Sequence, residues 1–185
     1  MEVCETENLK KIDELTGSEE YITEPTENSD KRDFYLLKDE DGILGCGYIR
    51  LFFGKIGNVG SIYIKEDSRG FGHGNFLVRK LERRLKDKGA KICVIGVHRE
   101  NEEGREFWRG AGYHVLAESI GENIFEHSDV KKLLNRISPK PIPENSITLM
   151  GKKLNVEEGE NTHIFKELHD LKDSLKSLDI HIFED

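Results

Sequence analysis

The chain has 185 residues, which is enough for one domain or for one domain with an appendage. Its formal net charge is −8, and 35% of its residues are charged. This acidic excess argues against nucleic acid as the main partner, because binding a phosphate backbone requires a basic face. It is compatible with a cationic or amine substrate.

The cysteines and histidines predict neither disulfides nor a metal site. Cys4, Cys46 and Cys93 are scattered, and neither they nor the seven histidines show metal-ligand spacing. The longest apolar runs are far shorter than the ~20 residues that a membrane helix needs. We therefore expect a cytoplasmic protein with reduced cysteines and without a metal, a signal peptide or a membrane span.

The first part of the chain is polar and holds few predicted elements. An opening strand is confined to the few residues around Val3. Residues 8–15 predict a short helix with one apolar face, which Gly17 ends. Residues 16–33 are rich in acidic and turn-forming residues and are predicted to be a loop.

Two strands joined by a tight turn are predicted next, at residues 34–37 and 43–53. Gly42 lies in the connecting segment and tolerates the positive φ that hairpin turns require. Gly45 and Gly47 lie inside the second strand, where glycine indicates a bulge or a close approach of another backbone segment. The pattern is typical of an antiparallel meander.

A central strand is predicted at residues 61–65, after a turn at residues 54–58. A polar turn and a glycine-rich segment, residues 69–74, then open a helix predicted at residues 72–88. Glycines let the backbone approach a ligand, and the first-turn N–H groups of a helix have no intrahelical partner. The helix dipole and the guanidinium of Arg69 both favour an anion. The segment therefore predicts a site for a phosphate or a pyrophosphate.

The helix predicted at residues 72–88 is amphipathic. Leu77, Leu81 and Leu85 share its apolar face. Arg79 and Glu82 are among the charged residues that we assign to the opposite, solvated face.

Two short sequence motifs follow one another along the chain, at residues 69–74 and 101–113. Arg69, Gly72 and Gly74 fit the pattern Arg/Gln-x-x-Gly-x-Gly/Ala directly after a strand. A buried-type strand predicted at residues 92–97 precedes a match to Asn-x-x-Ala-x-x-Leu-Tyr-x-x-x-Gly-Phe. The residues at its defined positions are Asn101, Gly104, Phe107, Trp108, Gly112 and Tyr113. In this order and spacing the motifs resemble those of the GCN5-related N-acetyltransferase (GNAT) family, from about residue 34 to residue 113 and less securely to residue 154.

The resemblance implies an α+β fold: a mixed, mostly antiparallel sheet splayed around acyl-CoA, with helices on both faces. It also implies acetyl-CoA as cosubstrate. Pantetheine would bond to the backbone of the central strand, and pyrophosphate to the loop and the first helical turn. Two residues of the second motif would lie beside the pantetheine arm. The cofactor-binding residues implied in this way are Ile62, Tyr63, Ile64, Arg69, Gly70, Phe71, Gly72, His73, Gly74, Asn75, Asn101 and Trp108.

The activity implied is transfer of an acetyl group to a primary amine by direct attack, without a covalent enzyme intermediate. Many relatives use a tyrosine as the acid, and Trp108 stands at that position. Some relatives carry a glutamate base where Gly96 stands. By strand alternation His98 points to the same side as Gly96, so His98 is a candidate base and Tyr63 a weaker catalytic candidate. Proton transfer to bulk water is the alternative to both.

Two other classes of function stay open. Trp108 and Gly96 favour a catalytically degenerate CoA-binding regulatory protein on the same scaffold. An assembly module, in which the last segment of the chain is the functional part, is the other. Cys46 as an acyl-carrying nucleophile is disfavoured, because buried strand cysteines are usually inert.

The predicted organisation is an acetyltransferase domain at residues 1–154, with an abbreviated N-terminal cap and an insertion at 118–145, followed by an extension at 155–185. A helix is predicted within the insertion at residues 128–136, and a closing strand at residues 147–154. The extension carries an amphipathic helix that packs on its own domain or forms a homodimer through residues 162–183. The acceptor is predicted to be an amine on a small molecule or a protein.

Overall fold

A computed structural model describes residues 1–17, 31–52, 55–118 and 147–154. The chain divides into two compact units, Met1–Ala90 and Lys91–Asp185. The predicted insertion helix, the extension with its amphipathic helix, and the homodimer surface at residues 162–183 lie outside the described residues. Among the described residues, no helix is both long enough and apolar enough to cross a membrane.

The first unit is an antiparallel meander with two helices. Each strand pairs antiparallel with the next, so the spatial order of the four strands follows the chain. Its elements are β1 (Glu2–Thr6), α1 (Leu9–Thr16), β2 (Asp33–Lys38), β3 (Ile43–Phe52), β4 (Ile56–Ile64) and α2 (His73–Asp87). A single 3₁₀ turn, Glu66–Ser68, connects β4 to the glycine-rich segment. The meander, the opening strand around Val3 and the helix ended by Gly17 are thus confirmed.

The second unit has three described strands and one helix. Its elements are β5 (Ile92–His98), α3 (Glu102–Gly110), β6 (His114–Glu118) and β7 (Ile147–Lys153). β7 pairs antiparallel with both β5 and β6 and therefore lies between them. The predicted closing strand is confirmed, and the predicted α+β class agrees with both units.

Helices cover both faces of the first unit's sheet. On one face, Ile12 of α1 packs in a buried cluster with Leu36 and Cys46. On the other face, Leu81 and Leu85 of α2 lie against glycines of β3 and β4. Burial of both helices against opposite faces of one sheet provides the hydrophobic core of this unit.

The start of β4 differs from the prediction. The sequence predicts a turn at residues 54–58, but β4 begins at Ile56 and its residues 56–58 pair with β3. Ile56 is fully buried, and Gly57 lies directly under Leu85, where a Cβ would approach a methyl carbon of that leucine to 2.7 Å. Glycine and asparagine are typical of turns, but packing under α2 overrides that local preference here.

One residue of α2 also differs from the prediction. Glu82, assigned to the solvated face, is buried. It lies four residues after Val78 and three before Leu85, and both of these are fully buried. Residues at these spacings share a helix face, so Glu82 belongs to the edge of the apolar stripe.

Charged residues near the end of α2 attach the first strands to the helix. Arg84 Nη2 donates to the carbonyl oxygen of Val3 at 3.1 Å, and its guanidinium lies 5.0 Å from the centre of the Tyr35 ring. Lys88 Nζ lies 3.1 Å from a carboxylate oxygen of Asp33. These contacts give part of the charged face of α2 a structural role.

Candidate active site

The glycine-rich segment brings an uncapped helix N-terminus to the end of β4. Gly70 and Gly72 have φ values of 81° and 79°, a left-handed conformation that favours glycine. Gly72 is the N-cap of α2 and supplies no side-chain cap. Phe76 is the first residue of the helix whose N–H bonds back to the carbonyl of Gly72. The N–H groups of residues 73–75 are therefore the donors that a helix N-terminus offers to an anion.

Arg69 both holds this segment and carries charge. Its Nε donates to the carbonyl oxygen of Ile64 at 3.0 Å, and its guanidinium lies 6.0 Å from the centre of the Tyr63 ring. The residue is exposed. Nε is thus used to hold the loop against the end of β4, while the terminal guanidinium nitrogens can donate to an anion.

His73, the first residue of α2, ties the other end of the segment. Its Nδ1 donates to the carbonyl oxygen of Ser68 at 2.9 Å. Phe71, between the two left-handed glycines, is 74% exposed, and its ring centre lies 5.9 Å from that of His73. A groove of about 460 Å³ separates this loop from the turn between β2 and β3. The loop is therefore fixed at its base and open at its tip.

β4 carries a bulge whose position the sequence pattern did not predict. Cys46 pairs with Tyr63 and Tyr48 with Gly60, so Ser61 and Ile62 together stand opposite Gly47. Ser61 has a φ of 49° and is the one non-glycine residue with positive φ among the described residues. A bulge leaves the extra residue outside the ladder and bends the strand, and such strained positions cluster at functional sites.

The glycines of β3 are explained by the bulge and its surroundings. A Cβ at Gly45 would overlap the backbone carbonyl oxygen of Tyr63. A Cβ at Gly47 would lie 2.7 Å from Cδ1 of Ile62 and 3.2 Å from Cδ1 of Leu81. The expectation of a bulge or a close backbone approach at these glycines is confirmed.

The remaining predicted site residues lie in the second unit. His98 ends β5, and both it and Gly96 are exposed, as expected for two residues on one side of a strand. Asn101 is the N-cap of α3, and its side chain accepts a hydrogen bond from the N–H of Gly104 at 2.8 Å. A Cβ at Gly104 would lie 2.6 Å from Nδ2 of Asn101, so an alanine at this position would require that side chain to shift. Asn101 therefore has a structural role as a cap, and its contact with a cofactor stays a prediction.

Trp108 is a core residue of its unit. It is 8% exposed, and its ring centre lies 4.9 Å from that of Tyr113 and 5.2 Å from that of Phe107, both in edge-to-face geometry. These contacts show that the indole packs in the core of the second unit. Its predicted place beside the pantetheine arm stays a prediction.

The predicted residues thus form two groups. One extends along β4 and the loop from Ile62 to Asn75, within the first unit, and His98, Asn101 and Trp108 belong to the second. Two residues at the bulge were not among the predicted site residues: Ser61, which has the positive φ, and Tyr48, whose ring lies over Gly60. Strand glycines indicated a bulge, but glycines alone do not reveal which residue of the strand adopts a positive φ. No group of metal-ligating side chains occurs in the part of the chain that the structure describes.

Cys46 is buried, and burial raises the pKa of its thiol from 9.0 to about 12. Because the thiolate is the reactive form, Cys46 is unsuited to carry an acyl group near neutral pH. The unfolded chain loses this proton above about pH 9, whereas the folded chain keeps it until about pH 12. The free energy of unfolding therefore decreases as pH rises through this range.

We expect one thiol to react with an aromatic disulfide reagent in the native protein at pH 8, and three after unfolding. Cys46 and Cys93 are 1% and 0% exposed, whereas Cys4 is partly exposed, although a hydrogen bond with Glu2 raises its pKa. The absorbance of the chromophore that the reagent releases gives the number of thiols that have reacted. Rapid reaction of a second thiol in the native protein would contradict this burial.

Comparison with known proteins addresses the family and the fold. A model of the acetyltransferase (GNAT) family matches residues 3–113, more than half of the chain. A search of curated protein sequences found no significant match. Solved structures of similar fold have low sequence identity and therefore support the fold alone.

Three of these structures illustrate the similarity. A GNAT family acetyltransferase from Elizabethkingia anophelis with acetyl-CoA bound has a TM-score of 0.58 and 19% identity, covering 82% of this chain and 97% of that one. An aminoglycoside 6'-N-acetyltransferase complexed with coenzyme A has a TM-score of 0.57 and 13% identity, with coverages of 85% and 99%. The ribosomal-protein-S18-alanine N-acetyltransferase from Escherichia coli has a TM-score of 0.58 and 12% identity, with coverages of 88% and 99%.

The family match extends from residue 3, within β1, through α3, and it contains the glycine-rich loop, the bulged strand and the asparagine-capped helix. Matched sequence and matched fold lead to the same assignment. The chain belongs to the acetyltransferase (GNAT) family.

Proposed function

We propose that this chain transfers an acetyl group from acetyl-CoA to a primary amine. The observation that carries the proposal is the loop from Arg69 to Asn75, which presents an uncapped helix N-terminus and an exposed guanidinium at the end of β4. Those groups suit a pyrophosphate. Structures of similar fold were solved with acetyl-CoA or CoA bound, which supports the choice of cosubstrate.

In this proposal each part of the cosubstrate has its own set of residues. The pyrophosphate accepts hydrogen bonds from the N–H groups of residues 73–75 and from Arg69. The backbone of Ile62 to Ile64 bonds to the pantetheine amides. Bulging the strand at Ser61 withdraws backbone groups from the ladder with β3, so that they can bond to a ligand.

The chemistry proposed is direct acyl transfer. The neutral amine attacks the thioester carbonyl carbon, a C–N bond forms, and the oxygen takes up negative charge. A backbone N–H of the bulged segment stabilises that oxygen. The C–S bond then breaks, the amine loses a proton, and CoA leaves as a thiolate that is protonated from water. No residue of the enzyme is acylated.

For the proton from the amine, we propose His98, which is exposed at the end of β5. Tyr63 remains a weaker catalytic candidate, since its ring lies beside Arg69 at the end of β4. Replacing His98 by glutamine should lower kcat while leaving the KM for acetyl-CoA unchanged. An unchanged kcat would assign the proton to bulk water.

The runner-up proposal is a CoA-binding protein without turnover. Two observations favour it: Trp108 is buried among aromatic rings at the position of the family's acid, and Gly96 occupies that of a glutamate base. Binding of acetyl-CoA without turnover on any amine would support this alternative.

The proposed acceptor is an amine on a small molecule or on a protein. Among the structures of similar fold, one is named for aminoglycosides and one for the alanine of a ribosomal protein. The test follows CoA release with a thiol reagent in the presence of an aminoglycoside, a polyamine, a peptide that begins with alanine and a peptide with an internal lysine. We expect that CoA is released only when one of these amines is present, and that mass spectrometry finds the acetylated form of that amine. Failure of acetyl-CoA to bind in calorimetry would overturn the proposal.

A further inference from the structure

One face of α2 is strongly basic, although the whole chain is acidic. From the start of the helix to Lys86 every exposed residue is a lysine or an arginine, and the single exposed acidic residue, Asp87, is the last of the helix. The exposed basic residues are Arg79, Lys80, Arg83 and Lys86. In a chain with a net charge of −8, such a face attracts an anion locally.

These four cations are not engaged by carboxylates of the protein. Within the described part of the chain, none of them forms an ion pair. By contrast, Lys88 lies 3.1 Å from a carboxylate oxygen of Asp33, and Arg84 donates to the carbonyl oxygen of Val3. The basic residues that lie against β1 and β2 therefore have structural partners, whereas the four exposed ones can bind a ligand.

Lys80 extends back towards the start of the helix. Its Nζ lies 5.2 Å from the centre of the Phe76 ring, one turn earlier. Side chains of a helix lean towards its N-terminus, and the aromatic ring holds the ammonium in that direction. Phe76 directly follows the N–H groups of residues 73–75, which are proposed to bind the pyrophosphate. The ammonium therefore lies about one helical turn along α2 from that site.

The other side of the glycine-rich loop is acidic. The groove of about 460 Å³ between this loop and the turn that joins β2 to β3 is lined by Asp39, Asp41 and Asp67, and by Lys65. Because three carboxylates outnumber one ammonium there, the groove repels a phosphate, whereas the exposed face of α2 attracts one. A ligand with a second anionic group beyond the helix N-terminus is thus directed onto the basic face.

We propose that Lys80 and Arg79 bind the 3'-phosphate of the cosubstrate, and that this contact makes the protein select acetyl-CoA over its 3'-dephospho form. This inference rests on the proposed function. In CoA one ribose ring separates the pyrophosphate from the 3'-phosphate, so the two groups bind about one helical turn apart. The ammonium and the guanidinium then donate charge-assisted hydrogen bonds to the phosphate oxygens.

Position along the helix distinguishes these two residues from the other exposed cations. A side chain at position 79 or 80 that leans back by one turn reaches the level of the first turn. Side chains of Arg83 and Lys86 that lean back in the same way remain at least about one turn further from the pyrophosphate site. They contribute to the field of the basic face but do not reach the 3'-phosphate.

Two ligands that differ in one phosphate test the proposal. Isothermal titration with acetyl-CoA and with acetyl-3'-dephospho-CoA is carried out on the wild type, Lys80→Gln and Arg79→Gln, and the ratio of the two Kd values isolates the 3'-phosphate. Lys86→Gln is the matched control, because it removes one charge from the same exposed face about 9 Å further along α2. Glutamine resembles lysine and arginine in helix propensity, so all three variants should melt at the wild-type temperature.

We expect the wild type and the control to bind acetyl-CoA about tenfold more tightly than the dephospho ligand. This ratio is at the lower end of what charge-assisted hydrogen bonds provide, because both side chains are exposed. Lys80→Gln and Arg79→Gln should each reduce the ratio to about threefold or less, while their Kd for the dephospho ligand stays within about twofold of the wild type. The unchanged affinity for the dephospho ligand would show that the pyrophosphate site is intact.

Every other outcome contradicts the proposal. Equal binding of the two ligands by the wild type, or a wild-type ratio that both variants retain, would mean that these residues do not contact the 3'-phosphate. A ratio that falls as much in Lys86→Gln as in Lys80→Gln would assign the preference to the field of the whole basic face. If the wild type binds neither ligand, the proposed function fails together with the inference, and that failure is distinct from the others.

Discussion

Replacing Arg69 by glutamate and Gly72 by aspartate in one protein should weaken acetyl-CoA binding by about 100-fold or more. The first change reverses the charge of an exposed guanidinium and removes the hydrogen bond that holds the loop to the carbonyl of Ile64. The second places a carboxylate at the N-cap of α2, where it accepts hydrogen bonds from the N–H groups that would bind pyrophosphate. Loss of charge-assisted bonds worth about 1.5–3 kcal/mol each supports this magnitude.

Isothermal titration with acetyl-CoA measures the effect. Its control combines Arg83→Glu with Gly110→Asp, which introduces the same two charge changes at an exposed position of α2 and at the end of α3. No neighbour lies within 4 Å of a Cβ built at Gly110. We expect the control to bind within about threefold of the wild type. Equal binding by the loop variant and the wild type would place the cosubstrate elsewhere.

Gly45→Ala should destabilise the fold by about 2–4 kcal/mol. A Cβ at this position would overlap the backbone carbonyl oxygen of Tyr63 and lie 3.3 Å from Cα of Ile64. Backbone atoms of a paired strand cannot move aside as a flexible side chain can, so β3 and β4 must separate locally. Because 1 kcal/mol corresponds to roughly 2–4 °C for a chain of this size, the melting temperature should fall by about 5–15 °C.

Thermal unfolding, monitored by circular dichroism, measures the melting temperatures of Gly45→Ala and of the wild type. Gly110→Ala is the matched control, because a Cβ there meets open space and the residue lies in α3 without a positive φ. Alanine favours the helix over glycine, so the control should melt at or slightly above the wild-type temperature. A Gly45→Ala protein that melts with the wild type would mean that the two strands are less closely paired than the structure indicates.

The conformation of the glycine-rich loop, residues 69–75, could be predicted from local sequence because its requirements are local. Gly70 and Gly72 adopt left-handed φ angles that other residues rarely reach, and they precede a helix with a regular apolar stripe. Arg69 stands five residues after Ile64, close enough to bond back to the end of its strand. Each of these requirements restricts the residue type at a fixed spacing, and the resemblance to the family depends on them.

The bulge could not be placed in the same way. Ser61 adopts a positive φ that serine itself does not favour, and the conformation depends on contacts with a neighbouring strand. Tyr48 lies thirteen positions earlier in the chain, and it meets Gly60 and Ser61 only because β3 and β4 pair in this register. Strand glycines indicated a close approach, but the tertiary contact determines which residue is strained.

The sequence by itself therefore determined most of the described elements, the conformation of the glycine-rich loop and the family, because glycine positions, helix periodicity and motif spacing are properties of neighbouring residues. Only the tertiary structure decided where β4 begins, that Glu82 is buried, and which residue of the bulge is strained. Those features depend on the free energy of packing between segments distant in the chain, and that free energy exceeds the local preference of a glycine for a turn or of a glutamate for water.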